Sequence, residues 1–173
     1  MPACYCAWPR AEVASDSRRS RHNMIKSRCP NWSGEVSVLS YKQFHDGFYD
    51  GLLIREDSVD IFLTTYQREA FCLSALGVVA LASDGLRAGN IIFDVECRSG
   101  GEITLSDIRE VHRFGMSPQE DAHAQNALAK AERDGLSLFV IGPTYGGSCL
   151  IMAKSFALVT RRQWIDVLCD NTQ

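Results

Sequence analysis

The 173-residue sequence has no C-x-x-C pair, no apolar stretch able to span a bilayer and no basic excess over its main body. Each absence excludes a class of function. Zinc and dithiol redox sites need two thiolates a few residues apart, so that both reach one centre. The seven cysteines, Cys4, Cys6, Cys29, Cys72, Cys97, Cys149 and Cys169, are odd in number and widely spaced. Only Cys4 and Cys6 are close, and they lie in the least patterned part of the chain. Three others sit in the runs AFCLSAL, DVECRS and GSCLIMA, where a free thiol behaves as a small hydrophobe. The expected compartment is therefore a reducing cytoplasm, with neither metal nor cofactor.

Residues 135–153 carry no charge, but GPTYGG divides them into LSLFVI and CLIMA, each too short to span a bilayer. They read as a soluble hairpin, and no membrane association is expected. A secretory h-region is missing as well, because Pro2, Pro9 and Arg10 interrupt the start. The triplet Asn31-Trp32-Ser33 matches a glycosylation acceptor that an unsecreted chain would never use.

Charge is unevenly placed. Residues 1–35 hold Arg10, Arg18, Arg19, Arg21, Lys26 and Arg28 against Glu12, Asp16 and Glu35, whereas the remainder holds 12 of the 18 basic and 18 of the 21 acidic residues. An acidic body lacks the clustered Lys and Arg that displace counterions from phosphates, so no nucleic-acid partner is expected. A cationic protein suits it better.

The first residues are rich in Ser, Arg, Ala and Pro without a sustained period, and read as a flexible basic arm over residues 1–29. Met24 is an alternative physiological start. Residues 30–173 read as one α+β domain, mainly an antiparallel sheet. Val36, Val38 and Tyr41 suggest a first short strand. Phe48 to Arg55 and Val59 to Thr65 form a hairpin about Glu56-Asp57-Ser58. Ala70 to Leu76, GVVALA and Ile91 to Cys97 follow, with Ser83-Asp84-Gly85 and Ala88-Gly89-Asn90 as turns. Ser99-Gly100-Gly101 then leads into an extended Glu102-Ile103-Thr104-Leu105. Ser117-Pro118-Gln119-Glu120 is a capping box, predicting the principal helix over about 117–134 with Gly135 as its stop. Shorter helices are expected over Ser106 to Arg113 and around Trp164 to Leu168. Leu136 to Ile141, Cys149 to Ala153 and Phe156 to Thr160 complete the sheet.

Candidate chemistry centres on QFHDGFYDG, residues 43–51. His45 with Asp46 and Asp50 offers an imidazole beside two carboxylates, the pattern of an acid–base pair. Adjacent residues of an extended strand point apart, however, and the calcium-loop spacing fails at Phe48 and Asp57. Asp46-Gly47 and Asp50-Gly51 are also good turn formers, which makes a corner the simpler account. The loop GPTYGGS offers Tyr145, Gly146, Gly147 and Ser148 as a ligand contact, but it matches neither a P-loop nor a nucleophile elbow. Cys149 has no histidine near it in sequence, and His112 and His123 read as surface residues of helices. Arg109, Arg113, Arg161 and Arg162 could grip an anionic ligand, or stack on a base beside Trp164, but Asp107, Glu110 and Asp166 lie close in sequence and charge pairs on solvated faces are the simpler account.

The functional expectation is a non-catalytic cytosolic binding or accessory protein. It would act through an acidic surface or a sheet edge, for example by neutralising a basic protein, or it would self-associate along that edge. The alternative is a small hydrolase using His45 with Asp46 or Asp50.

Overall fold

Alternation of inward-facing and outward-facing side chains along the strands shapes most of the described chain. The structure, a computed structural model, describes residues 41–170. A 3-10 turn over Tyr41–Phe44 precedes β1 (Phe48–Ile54), β2 (Ser58–Thr64), β3 (Ala70–Leu76), β4 (Ala80–Asp84) and β5 (Asn90–Ser99). A second 3-10 turn, Gly100–Glu102, leads to α1 (Leu105–His112) and α2 (Pro118–Arg133). Strands β6 (Ser137–Tyr145), β7 (Ser148–Ala153) and β8 (Ser155–Thr160) and helix α3 (Arg161–Asp170) follow. Over the described residues the fold is α+β, with one antiparallel eight-stranded sheet and three helices, and α2 occupies the span predicted for the principal helix.

The strand order β4-β7-β6-β5-β1-β2-β3-β8 begins and ends on halves of the same two chain segments. Strand β3 continues into β4, and β7 continues into β8 through Lys154 alone. Their pairing runs on across both breaks, with Lys154 N–H donating to Leu76 C=O at 3.0 Å and Val79 N–H to Met152 C=O at 2.9 Å. The sheet therefore curls onto itself as a barrel, which removes most of its edges. Among the described residues β4 and β8 each keep one side without a partner strand, and so does much of β1. Strand β1 meets β5 only at Phe48 and Tyr49, and beyond them no described residue pairs with β1 on the side away from β2.

Two cores follow from the period-2 pattern. Phe139, Ile141, Cys149 and Ile151 point into the barrel with Tyr49, Ile61, Leu63 and Leu73. Their sequence neighbours Leu138, Leu150 and Met152 point outward, beneath Ile108, Val111, Ala124 and Ala131 of the helices. Burial on both faces explains why CLIMA is apolar throughout. Each large side chain so buried contributes about 1.5–3 kcal/mol. Helix α2 presents mostly small residues to the sheet, with Ala124 and Ala131 fully buried and Ala127 and Leu128 partly buried beside them. Its start is as expected, with Ser117 Oγ accepting from the Glu120 amide and the Glu120 carboxylate accepting from Gly115 and Ser117.

Several local expectations need correction. Glu102 to Leu105 is not extended: Thr104 Oγ1 accepts from the Asp107 amide while Asp107 Oδ2 accepts from the Thr104 amide, and this box starts α1 at Leu105. Gly142 to Tyr145 is strand rather than loop, because the irregular register of β5 around Ile92 and Asp94 accommodates Pro143 without needing its missing N–H. Asp84 ends β4 and Asn90 begins β5, so only the residues between them turn. Asp50-Gly51 is a bulge within β1, not a turn. Tyr41 lies in the first 3-10 turn. The suggested strand residues Val36 and Val38, the basic arm and Met24 lie outside the described residues.

Candidate interaction surface

The chain reverses between Phe44 and Phe48, and Asp46 itself takes the left-handed conformation there with φ of 58°. Gly47 is required for a different reason. A Cβ at that position would lie 2.5 Å from the Thr64 carbonyl oxygen and 2.8 Å from that of Phe44. The turn is pinned to β5, with Asp46 N–H donating to Ile92 C=O and Ile92 N–H to Gly47 C=O, both at 3.0 Å. Phe44 fills the barrel beneath, edge-on to Phe71 at 5.5 Å. This packing holds His45 outside.

His45 Nδ1 lies 2.5 Å from the Phe93 carbonyl oxygen, a contact in which the ring nitrogen donates. The imidazole stands edge-on to the Phe93 ring at 5.5 Å, and its Nε2 lies 4.0 Å from the Asp46 carboxylate. Asp50 belongs to another neighbourhood. Its Oδ2 accepts from Thr64 Oγ1 at 2.7 Å and from the Arg161 guanidinium at 2.5 Å, tying β1 to β2 and to the start of α3. The structure thus brings His45 and Asp46 together and directs Asp50 toward Arg161.

The second sequence candidate approaches β5 from its other side. Tyr145 opposes Ile91 in the β5–β6 ladder, and the turn Gly146-Gly147 is held by Asn90, whose Oδ1 accepts from the Gly147 amide at 2.9 Å. A Cβ on Gly146 would meet that carboxamide, and one on Gly147 would meet the backbone of Asp84 and Leu86, so the two glycines allow close packing within the fold. Ser148 opens β7, and its carbonyl accepts from Ser83 Oγ at 3.2 Å.

Both candidates therefore flank one stretch of β5. Phe93 is 59% exposed and Tyr145 55% exposed, both on the outside of the barrel on neighbouring strands. His45 braces one ring, and the Arg87 guanidinium lies 5.3 Å from the centre of the other. Leu86 is exposed beside Gly147, and Asp94 on β5 and Asp46 beside His45 supply negative charge. Rigid exposed aromatics with a charged border have the composition of a protein contact surface. Leu86, Arg87, Phe93 and Asp94 did not stand out in the sequence, where Phe93 read as one more position of a strand.

Most of the remaining candidates are tied into the fold, while Arg162 is exposed. Cys149 is fully buried beside the unpartnered Tyr49 hydroxyl, and burial pushes its thiol up to about 11. Cys72 is buried too, and burial together with the nearby Asp60 carboxylate pushes it to about 12. Arg109 pairs with Asp121, and Arg113 lies 3.8 Å from Asp84. His112 stacks on Phe114 with ring centres 5.2 Å apart, and burial lowers its pKa. A shallow depression lined by Glu96, Cys97, Arg98 and Glu102 holds a guanidinium already paired with Glu96 and Asp107. Among the described residues no helix is long and apolar enough to cross a membrane. Comparison with protein families, with curated proteins and with solved structures found no match to this chain.

Proposed function

We propose that the protein is a non-catalytic binding or accessory protein that takes a basic protein partner on the outer surface of β5 and β6. The observation that carries this reading is the pair Phe93 and Tyr145, each more than half exposed on neighbouring strands and each braced by a second side chain. Aromatic anchors of this kind concentrate binding energy because they bury large area while losing little rotamer freedom. The acidic balance of the chain beyond residue 35 favours a cationic partner, and Asp46 and Asp94 lie beside the anchors. The proposed place of action is the cytoplasm, where thiols such as those of Cys72, Cys97 and Cys149 stay reduced.

Quantitative co-purification from native lysate tests the reading. The chain is expected to retain a stoichiometric basic protein, and F93A/Y145A to lose it by about tenfold or more in affinity, with an unchanged circular dichroism spectrum. Raised salt is expected to slow association. Equal retention by the double variant, or no stoichiometric partner, would count against it.

A further inference from the structure

We infer that the open edge of β1 pairs with the same edge of a second copy, giving a two-fold dimer whose axis passes through Leu53. Antiparallel ladders alternate between pairs that exchange hydrogen bonds and pairs that do not. Arg55 N–H donates to Ser58 C=O at 2.8 Å, so Arg55 and Leu53 direct their main-chain groups at β2, while Leu52 and Ile54 direct theirs away from it. Nothing among the described residues receives them. The edge is also apolar, with Ile54 59% and Leu53 40% exposed, where natural edges normally carry charge or proline.

The side chains favour a copy of this chain as the occupant. A two-fold axis normal to the sheet pairs residues of like orientation, so it must pass through a residue rather than between two. Centring on Leu53 sets Leu52 against Ile54 of the second copy, and their free main-chain groups then exchange hydrogen bonds on both sides of the axis. Leu53 meets Leu53. On the same outer face, Arg55 comes opposite the Asp50-Gly51 bulge of the second copy, placing opposite charges together twice. Both groups retain capacity for this. Asp50 accepts its two internal bonds on Oδ2 alone, and Arg55 reaches Asp60 through one terminal nitrogen at 2.9 Å. Centring on Leu52 instead would set Ile54 against Asp50. The surface around Phe93 and Tyr145 remains a separate proposal, and this one stands or falls independently of it.

Sedimentation of the full chain against concentration tests the inference. The wild type is expected to reach twice the 19.2 kDa chain mass. The variants I54K and L53K are expected to weaken association by about tenfold or more, while V79K, an equally exposed site elsewhere, leaves it unchanged. Since a non-hydrogen-bonded antiparallel pair brings Cα atoms to about 4.5 Å, L53C is expected to form an intermolecular disulfide under mild oxidation, mapped by mass spectrometry to position 53 of both chains. A wild type monomeric at its highest soluble concentration would overturn the inference. So would a dimer indifferent to I54K, or one in which L53C forms no such bridge.

Discussion

Asn90 ties three segments together through one carboxamide: its Oδ1 accepts from Gly147 N–H at 2.9 Å and Arg87 N–H at 3.0 Å, and its Nδ2 donates to Tyr49 C=O at 3.0 Å. The side chain is 1% exposed, so water cannot replace any of the three partners. Asn90→Ala is expected to cost about 2–4 kcal/mol, since it strands buried amides and a carbonyl together. Asn90→Asp keeps the acceptor and loses the donor to Tyr49. A urea midpoint for Asn90→Asp equal to that of the wild type would refute this account.

A second buried polar group holds the outer face of β2 and β3. Asp60 is 3% exposed, accepts from Ser74 Oγ at 2.5 Å and faces Arg55 at 2.9 Å. Ser74→Ala is expected to destabilise by about 1.5–3 kcal/mol, the worth of a hydrogen bond to a charged group. Asp60→Ala should cost more than Ser74→Ala, because it leaves the hydroxyl without its acceptor and the Arg55 guanidinium without its counter-charge. The order of the two thermal midpoints checks this.

The acid limb of stability depends on Asp107. Burial acts to raise its carboxyl, but the Thr104 amide and hydroxyl and the Arg98 guanidinium outweigh burial and hold it below the ordinary carboxylate range. A group depressed in the folded state stabilises above its unfolded pKa and loses that contribution as pH falls through its folded value. Stability is therefore expected to decline as pH drops below about 4. Asp107→Asn should flatten that decline while lowering stability near neutrality. Chemical denaturation of both proteins from neutral to acid pH reads the difference, and parallel pH profiles would exclude Asp107 as the source.

How much of this was legible in the sequence varies with the range of the interactions. Local chemistry was readable: Ser117 and Glu120 announced α2, and Glu56-Asp57-Ser58 announced the β1–β2 hairpin. Barrel closure was not, because it depends on Leu76 and Met152 meeting residues of distant segments across two interrupted strands. The same limit governed the candidate surface. The sequence singled out His45 and Tyr145 separately, and only the ladder on both sides of β5 sets them about one exposed phenylalanine. Asp50, adjacent in sequence, was taken up by Arg161, 111 residues away.

Thiol reactivity separates the buried cysteines from the rest of the chain. Cys72 and Cys149 are both fully buried, and burial drives their thiols up to about 12 and about 11, so near neutral pH the nucleophilic thiolate is almost absent from both. Inaccessibility and protonation act together, and either one alone would slow alkylation. In native protein treated with iodoacetamide, peptides containing Cys72 and Cys149 are expected to stay unmodified, and to react only once urea unfolds the barrel. The two sites should become reactive at the same urea concentration, because Cys149 lies inside the barrel while Cys72 lies on the outer face of β3, which pairs with β2 and β8 as part of the same closed sheet. Alkylation of Cys149 in the folded protein would instead show that the barrel interior opens independently of global unfolding.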